Sequence, residues 1–315
     1  MVLYIREGEV GELLDMQGCM NVLREAFMMQ ADQNAVILPR ARIGTEQGSL
    51  NIMASTISGM GVTGTKTYYA NRSGISFVVL LFSTHDAKLL AIIEASRLGQ
   101  VRTGAVSGIV TDVLADPQSH TLACAGSGYQ AETQVEAIAA VRRLDGVMVY
   151  GRNRERRELF ASSMSRKLGI DVTAVNDTAG FGSADIIVTA TSSPRPVIPD
   201  AHIPAECHIN AIGANRIGSN ELDPETVCSA RTVVVDSIAQ AKLESGDLAL
   251  ASSRGCFDWT SATEVWEAVS GKVKTNGGAR TGRTLFKSLG IAIEDVAVGK
   301  FVFDRAVKQG LGTWL

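Results

Sequence analysis

Cysteine and histidine are scarce in this chain of 315 residues, with five of the first and four of the second. The cysteines (Cys19, Cys124, Cys207, Cys228 and Cys256) are widely scattered and none stands in Cys-x-x-Cys spacing. Such a set reads as reduced thiols of a cytoplasmic protein, with neither a disulfide frame nor a zinc site expected. The histidines are equally dispersed, so a metal-dependent mechanism lacks candidate ligands and no metal is expected. Positive charge is not in excess either: 30 Lys and Arg face 33 Asp and Glu, for a net charge of -3. Without a basic face or a nucleic-acid module, nucleic acid is not an expected partner. Long apolar runs are absent, the longest being the strand-sized Phe77 to Phe82, and acidic residues interrupt the first apolar stretch. Neither a membrane span nor a cleavable signal peptide is expected. What remains is a chain that is 45% hydrophobic, enough for two domains with buried cores.

The stretch that organises the chain runs from Thr121 to Ala131. A short apolar run, Thr121 to Ala125, enters Gly126-Ser127-Gly128, and helical periodicity follows from Tyr129 to Arg142. Strand, glycine turn and helix is the order that a dinucleotide-binding turn requires. Gly126 permits the tight turn, Gly128 lets a pyrophosphate approach the backbone, and small Ala131 lets the helix lie close to the strand. The motif alone is weak, because small-residue turns are common. The next apolar run, Val147 to Tyr150, ends where an acidic residue ordinarily accepts from a ribose 2′-hydroxyl. Here the chain reads Gly151-Arg152-Asn153-Arg154 instead. A glycine leaves room for a 2′-phosphate and guanidinium groups match its charge, so NADP(H) is favoured over NAD(H), with Arg152, Asn153 and Arg154 as expected contacts. Arg156 and Arg157 read as the start of a solvated helix.

Before this stretch the chain reads as a short strand at residues 2–5, an amphipathic helix from Glu12 to Gln30, and then extended segments starting at Ile37. Strands are expected over Gly48 to Ala54, Gly61 to Tyr69 and Ile75 to Phe82, then a turn and Lys88 to Glu94. Short turns without intervening helices imply a mostly antiparallel unit. Ser96 to Leu114 is helical by composition. From His120 onward strand and helix alternate: Val147 to Tyr150, a helix from Glu155 to Leu168, Asp171 to Ala174, Asp185 to Ala190, His208 to Gly213 and Thr232 to Asp236. Continuous apolar strands of this kind belong to a parallel sheet covered on both faces, and the succession is that of a Rossmann domain. A helix from Ala262 to Ser270, a loop at Asn276-Gly277-Gly278, an extended Arg283 to Ser288 and a closing helix from Ile291 to Gln309 are expected after it.

Assembled in order, these segments carry Leu38-Pro39-Arg40, Gly64-Thr65-Lys66, Val101 to Ala105, Gly126 to Ala131, Thr189 to Ser193, His208 to Gly213, Glu221-Leu222, and Thr284 to Gly290 with Glu294-Asp295. In that order and spacing the chain resembles the ornithine cyclodeaminase/mu-crystallin family over nearly its whole length. The resemblance implies an α/β fold: a doubly wound parallel Rossmann sheet, over 116–290, plus an α+β substrate-binding and dimerisation domain formed by 1–115 and 291–315. A homodimer is implied with it.

The residues themselves suggest the chemistry. A nicotinamide enzyme acting on an amino or imino acid needs a cation for the carboxylate and a proton donor near nitrogen. Arg40 suits the carboxylate, since a bidentate guanidinium fixes orientation as well as charge; otherwise it is an arginine making a surface pair. Lys66 lies in a small, apolar context where burial lowers a lysine pKa, so it is a candidate proton donor or a second carboxylate ligand; otherwise it snorkels from its strand. Tyr68, Tyr69 and Phe77 are expected to border the pocket. The resemblance implies further roles: Arg102 and Thr103 toward cofactor phosphates, Tyr129 and Gln130 against the pyrophosphate, and Thr191 near the ribose. It sets Asn210, Ala211 and Ile212 along the nicotinamide half, Ser288 at the nicotinamide, and Leu289 and Asn215 toward the substrate. Asn215 is also a departure, since the cyclodeaminase branch carries an aspartate there and an amide cannot act as a base. The expected activity is therefore NADPH-dependent reduction of the C=N bond of a small α-imino acid, or the reverse oxidation. Alternatives are an alanine-type amino acid dehydrogenase, a cyclodeaminase, and a non-catalytic NADPH-binding protein of the crystallin kind.

Overall fold

A computed structural model describes residues 1–274 and 282–315; the expected loop at Asn276-Gly277-Gly278 lies outside the described residues. The chain divides into two compact units, one formed by Met1–Val106 with Gly290–Leu315 and the other by Ser107–Leu289.

The first unit opens with β1 (Leu3–Ile5), α1 (Glu7–Leu13) and α2 (Met16–Ala31), followed by strands β2 (Ala35–Gly44), β3 (Gly48–Ile57), β4 (Val62–Asn71), β5 (Gly74–Ser83) and β6 (Leu89–Glu94). Helix α3 (Ser96–Leu114) then carries the chain into the second unit. The single helix expected over Glu12 to Gln30 is corrected to two. Leu14 and Asp15 both take extended backbone, and the Asp15 carboxylate caps α2 by accepting from the Gly18 N–H at 2.6 Å, so a new helix starts where one was expected to continue.

In the second unit β7 (Thr121–Ala125), α4 (Tyr129–Val141), β8 (Gly146–Tyr150), α5 (Arg154–Leu168), β9 (Asp171–Val175), β10 (Ile186–Thr189) and β11 (His208–Ala211) follow one another. Then come α6 (Pro224–Cys228), β12 (Ala230–Val235), α7 (Ile238–Glu244), α8 (Gly246–Ser253), β13 (Thr263–Glu264), α9 (Val265–Val269) and β14 (Arg283–Lys287). The helix expected from Ala262 is thus shortened by strand β13. The eight strands lie in the order β13-β12-β14-β11-β10-β7-β8-β9, and every pair is parallel. Alternate residues feed two separate cores. Leu122, Cys124, Ile186 and Val188 pack with Val135 of α4 and Met164 of α5, whereas Ala123, Ala125, Ile187 and Leu285 pack with Val227 of α6 and Leu248 of α8. A sheet buried on both faces explains why its strands read as unbroken apolar runs.

The expectation of five free thiols is also corrected. The end of α6 packs beside α8, and this brings Cys228 and Cys256 together as a disulfide with 5.2 Å between their Cα atoms. Cys19, Cys124 and Cys207 are buried free thiols.

The chain returns to the first unit through α10 (Ala292–Gln309) and β15 (Thr313–Trp314). The seven-stranded sheet there runs β15-β1-β6-β5-β4-β3-β2; β2 through β6 pair antiparallel, and β1 lies parallel to β6. Helix α10 packs on β2 to β5. Strand β2 forms an edge, which is where a proline without an N–H is tolerated. Its register with β3 shifts between Leu38 and Ala41, and that irregularity at Pro39-Arg40 re-aims Arg40 inward: its neighbours Pro39 and Ala41 are exposed while Arg40 is buried.

Candidate functional site

At the carboxyl ends of the parallel strands, where ligands of open α/β sheets collect, the second unit holds a cleft of about 690 Å³. Gly126, Gly128, Arg152, Asn153 and Thr191, all expected to bind cofactor, line it. Gly126 has φ +133°, and a Cβ there would come 2.3 Å from the Ala190 carbonyl oxygen, so this turn admits glycine for two separate reasons. Gly128 caps α4, and a Cβ on it would meet nothing within 4 Å. The open space lies at the amino end of a 13-residue helix, whose N–H groups and dipole favour an anion such as a pyrophosphate. At the end of β8, a Cβ on Gly151 would approach Ser127 Oγ at 2.9 Å, so a side chain there requires the Ser127 hydroxyl to shift.

The arginines after Gly151 divide differently from expectation. Arg152 and Arg156 line the cleft. Arg154 pairs with Glu158 at 2.7 Å instead and is not among the lining residues. Arg157 is buried and donates to the Gly151 carbonyl at 2.9 Å, so it holds the turn and does not start a solvated face. Among the other expected cofactor contacts, Tyr129 is exposed at the start of α4. Asn210 is buried, donating to Thr111 Oγ1 at 3.0 Å. Ala211 ends β11 and Ile212 follows it, and Ser288 and Leu289 follow β14, where the Leu289 N–H donates to the Asp236 carboxylate. A second cavity of about 540 Å³ involves Asp116, His120 and Glu206; it opens at the amino ends of the strands, away from the glycine turn.

The first unit gathers Arg40 and Lys66 into one buried group, whereas Asn215 and Leu289, also expected toward the substrate, belong to the second unit. The buried charged side chains of the first unit are Arg40, Lys66, Arg102, Glu294 and Asp295. Lys66 Nζ donates to Asp295 Oδ1 at 2.7 Å; Arg102 donates to the same oxygen through Nε at 3.1 Å and to Glu294 through Nη1. Arg40 donates to the Gly290 carbonyl at 3.0 Å and sets Nε 3.5 Å from Met53 Sδ. Met53 is the cross-strand partner of Lys66, so one thioether touches the arginine and neighbours the lysine. Gly99 leaves space for the ammonium, since a Cβ there would lie 3.1 Å from Nζ. Phe77 sits beneath it at 5.1 Å, with Tyr68 against Phe77, while Tyr69 turns its hydroxyl to Thr45 at 3.0 Å. Thr103 donates to the Gly99 carbonyl at 2.7 Å.

Burial pushes the Lys66 ammonium down to about 8, against the pull of Asp295. Burial also opposes the Asp295 carboxylate, yet Arg102 and Lys66 beside it hold its pKa below the ordinary value. Three cations thus face two carboxylates, and the surplus positive charge out of water favours an incoming anion. Sequence reasoning gave Asp295 and Glu294 no role. The signal was there: two adjacent acids in an otherwise apolar helical run.

The chain is similar to known proteins over nearly its whole length. The model of the ornithine cyclodeaminase/mu-crystallin family matches residues 3–310. A Delta(1)-pyrroline-2-carboxylate reductase of Bacillus cereus is 33% identical, covering 85% of this chain and 84% of that protein. The structure of the Thermococcus litoralis Delta(1)-pyrroline-2-carboxylate reductase in complex with NADH and L-proline superposes with a TM-score of 0.93 at 30% identity, over all of both chains. An archaeal alanine dehydrogenase dimer with bound NAD gives 0.91 at 30% identity, over 99% of this chain and 98% of that one. With a family match over almost every residue, the protein belongs to the ornithine cyclodeaminase/mu-crystallin family.

Proposed function

We propose that the protein is an NADPH-dependent oxidoreductase that reduces the C=N bond of a small α-imino acid, or runs the reverse oxidation of an amino acid. The observation that carries the reading is the buried group of Arg40, Lys66 and Arg102 gathered beside Glu294 and Asp295. One surplus positive charge suits one carboxylate. Arg40 is the group to take it, while Lys66 is the group to hold the proton that the imine nitrogen needs, as an ammonium whose burial eases its release.

A dinucleotide fits the second unit: Gly126 makes the turn, Gly128 leaves open space at the start of α4, and Arg152 and Arg156 offer charge for a 2′-phosphate beside Gly151. When bound, a reduced nicotinamide supplies the hydride for the imine carbon. The chain's own work is to orient the carboxylate, hold a transferable proton and exclude bulk water. NADP preference is supported by Gly151, Arg152 and Arg156, although the two structures compared above hold NADH and NAD.

The likeness to alanine dehydrogenase favours a second reading in which free ammonia and a 2-oxo acid are joined reductively. Oxidation of NADPH and of NADH, measured against cyclic imines and against 2-oxo acids with ammonia or methylamine, separates the two. Silence toward every cyclic imine, with ornithine converted to proline on NAD, would remove the reductase reading. We also infer a homodimer through the first unit, because edge strand β2 exposes Val36, Leu38 and Ile43; a monomer by light scattering would refute it. Among the described residues no helix is long and apolar enough to cross a membrane.

A further inference from the structure

Glu221 lies in the loop after β11, fully buried, and nothing in the proposed chemistry uses it. Its carboxylate accepts five hydrogen bonds. Thr191 donates both its N–H and its hydroxyl to Oε1, each at 2.7 Å. Gly213 N–H at 2.6 Å, Ala214 N–H at 3.2 Å and the Thr189 hydroxyl at 3.2 Å donate to Oε2. One side chain therefore ties the residues that follow β10 to those that follow β11. The approach is close enough that a Cβ on Gly213 would lie 2.0 Å from the Thr191 carbonyl oxygen and 2.6 Å from Glu221 Oε1. Thr191 in turn accepts from the Ser193 N–H at 3.1 Å, and both Thr191 and Ser193 line the cleft.

Glu221 is itself held from behind. Asp247 Oδ1 accepts from the Glu221 and Leu222 N–H groups at 2.8 and 3.1 Å, and Asp247 pairs with Lys287 at 2.9 Å, both fully buried. Lys287 ends β14, immediately before Ser288 and Leu289. A buried line of charge thus reaches the carboxyl ends of three neighbouring strands, β10, β11 and β14. A carboxylate surrounded by donors is needed for such a junction, since an amide in its place would turn an NH₂ toward N–H groups that have no other acceptor among the described residues.

We propose that Glu221 is a positioning residue that fixes the nicotinamide side of the cleft, leaving the adenosine side at Gly126, Gly151 and Arg152 to form without it. The proposal rests on the reading of the second unit as a nicotinamide-dinucleotide domain. Glu221→Gln is tested by titrating the purified protein with NADPH and NADH, and separately with ADP-ribose and 2′-phospho-ADP-ribose, which lack the nicotinamide. The expected result is a loss of about tenfold in affinity for the reduced dinucleotide, with the fragments bound as tightly as by the unaltered protein. Equal losses for dinucleotide and fragment would mean a merely structural role and overturn the proposal, as would no loss at all. If Glu221→Gln does not give a folded circular dichroism spectrum, Glu221→Asp keeps the charge on a shorter stem and should show the same split, smaller; an equal loss or none again overturns it. An unaltered protein that binds the fragments and neither dinucleotide would instead sink the underlying reading, a result distinct from any produced by the variants.

Discussion

The ammonium of Lys66 lies 2.7 Å from the carboxylate of Asp295, the two side chains being 4% and 0% exposed. Residues 229 positions apart in sequence therefore make one ionisable unit. With the lysine lowered to about 8, it is protonated below that pH and neutral above. A proton donor works in the first form and an acceptor in the second. Imine reduction should accordingly fall as pH rises through about 8, while amino acid oxidation should rise over the same interval. Lys66→Ala should lose most turnover, by about a hundredfold or more, and still bind NADPH. Parallel pH profiles for the two directions would remove Lys66 from proton transfer.

Asp295→Asn leaves Lys66 and Arg102 buried without the negative charge they share. Breaking a buried pair from one side costs about 3–5 kcal/mol, which should appear as a lower urea midpoint. The same change takes away the attraction that holds the Lys66 proton, so the alkaline fall of the reduction rate should move to lower pH. A variant that loses stability but keeps its pH profile would separate the ion pair from the chemistry.

The proposed preference for NADPH rests on the end of β8. Arg152→Ala should weaken NADPH by about tenfold, the scale of one charge-assisted bond, and leave NADH nearly untouched. Gly151→Asp should turn preference toward NADH, as the new carboxylate repels a 2′-phosphate and accepts from a ribose hydroxyl. The ratio of kcat/KM for the two cofactors reports both, and a ratio unmoved by Arg152→Ala would count against NADP selection there.

The two glycines of the turn should separate folding from binding. Gly126→Ala meets both a left-handed φ and the Ala190 carbonyl, so its thermal midpoint should drop, by roughly 2 kcal/mol or more in stability. Gly128→Ala has φ -101° and open space; it should melt as the unaltered protein does yet bind NADPH weakly, because its methyl projects into the place a phosphate would take. Fluorescence titration alongside a melting curve distinguishes them.

Much of this was legible in the sequence wherever the cause was local. Apolar runs marked the parallel strands, and α3 matched its expected bounds because its small residues and periodicity continue from Ser96 to Leu114. The glycine turn was readable because its requirement is a backbone conformation. What could not be read depended on distant partners or on a single interrupted residue. Nothing near Asp15 announced that its side chain would start a fresh helix, and nothing near Cys228 pointed to Cys256. The inward turn of Arg40 depends on a register shift against β3, and the tie made by Glu221 depends on loops that the chain reaches at separate times. Short motifs named Glu221 and Asp295 as notable, but only their neighbours in space gave them work.

Strand β15 pairs with β1, and the Leu315 N–H donates to the Val2 carbonyl at 2.9 Å. The first unit is thus closed by segments that the whole second unit separates. During synthesis Arg40, Lys66 and Arg102 must wait, without the carboxylates of α10, until all of Ser107–Leu289 has been made. The second unit has no such wait, since its strands are consecutive in the chain. A growing polypeptide should therefore acquire protease-resistant cofactor-binding structure first, and its substrate-side charge group only when α10 emerges.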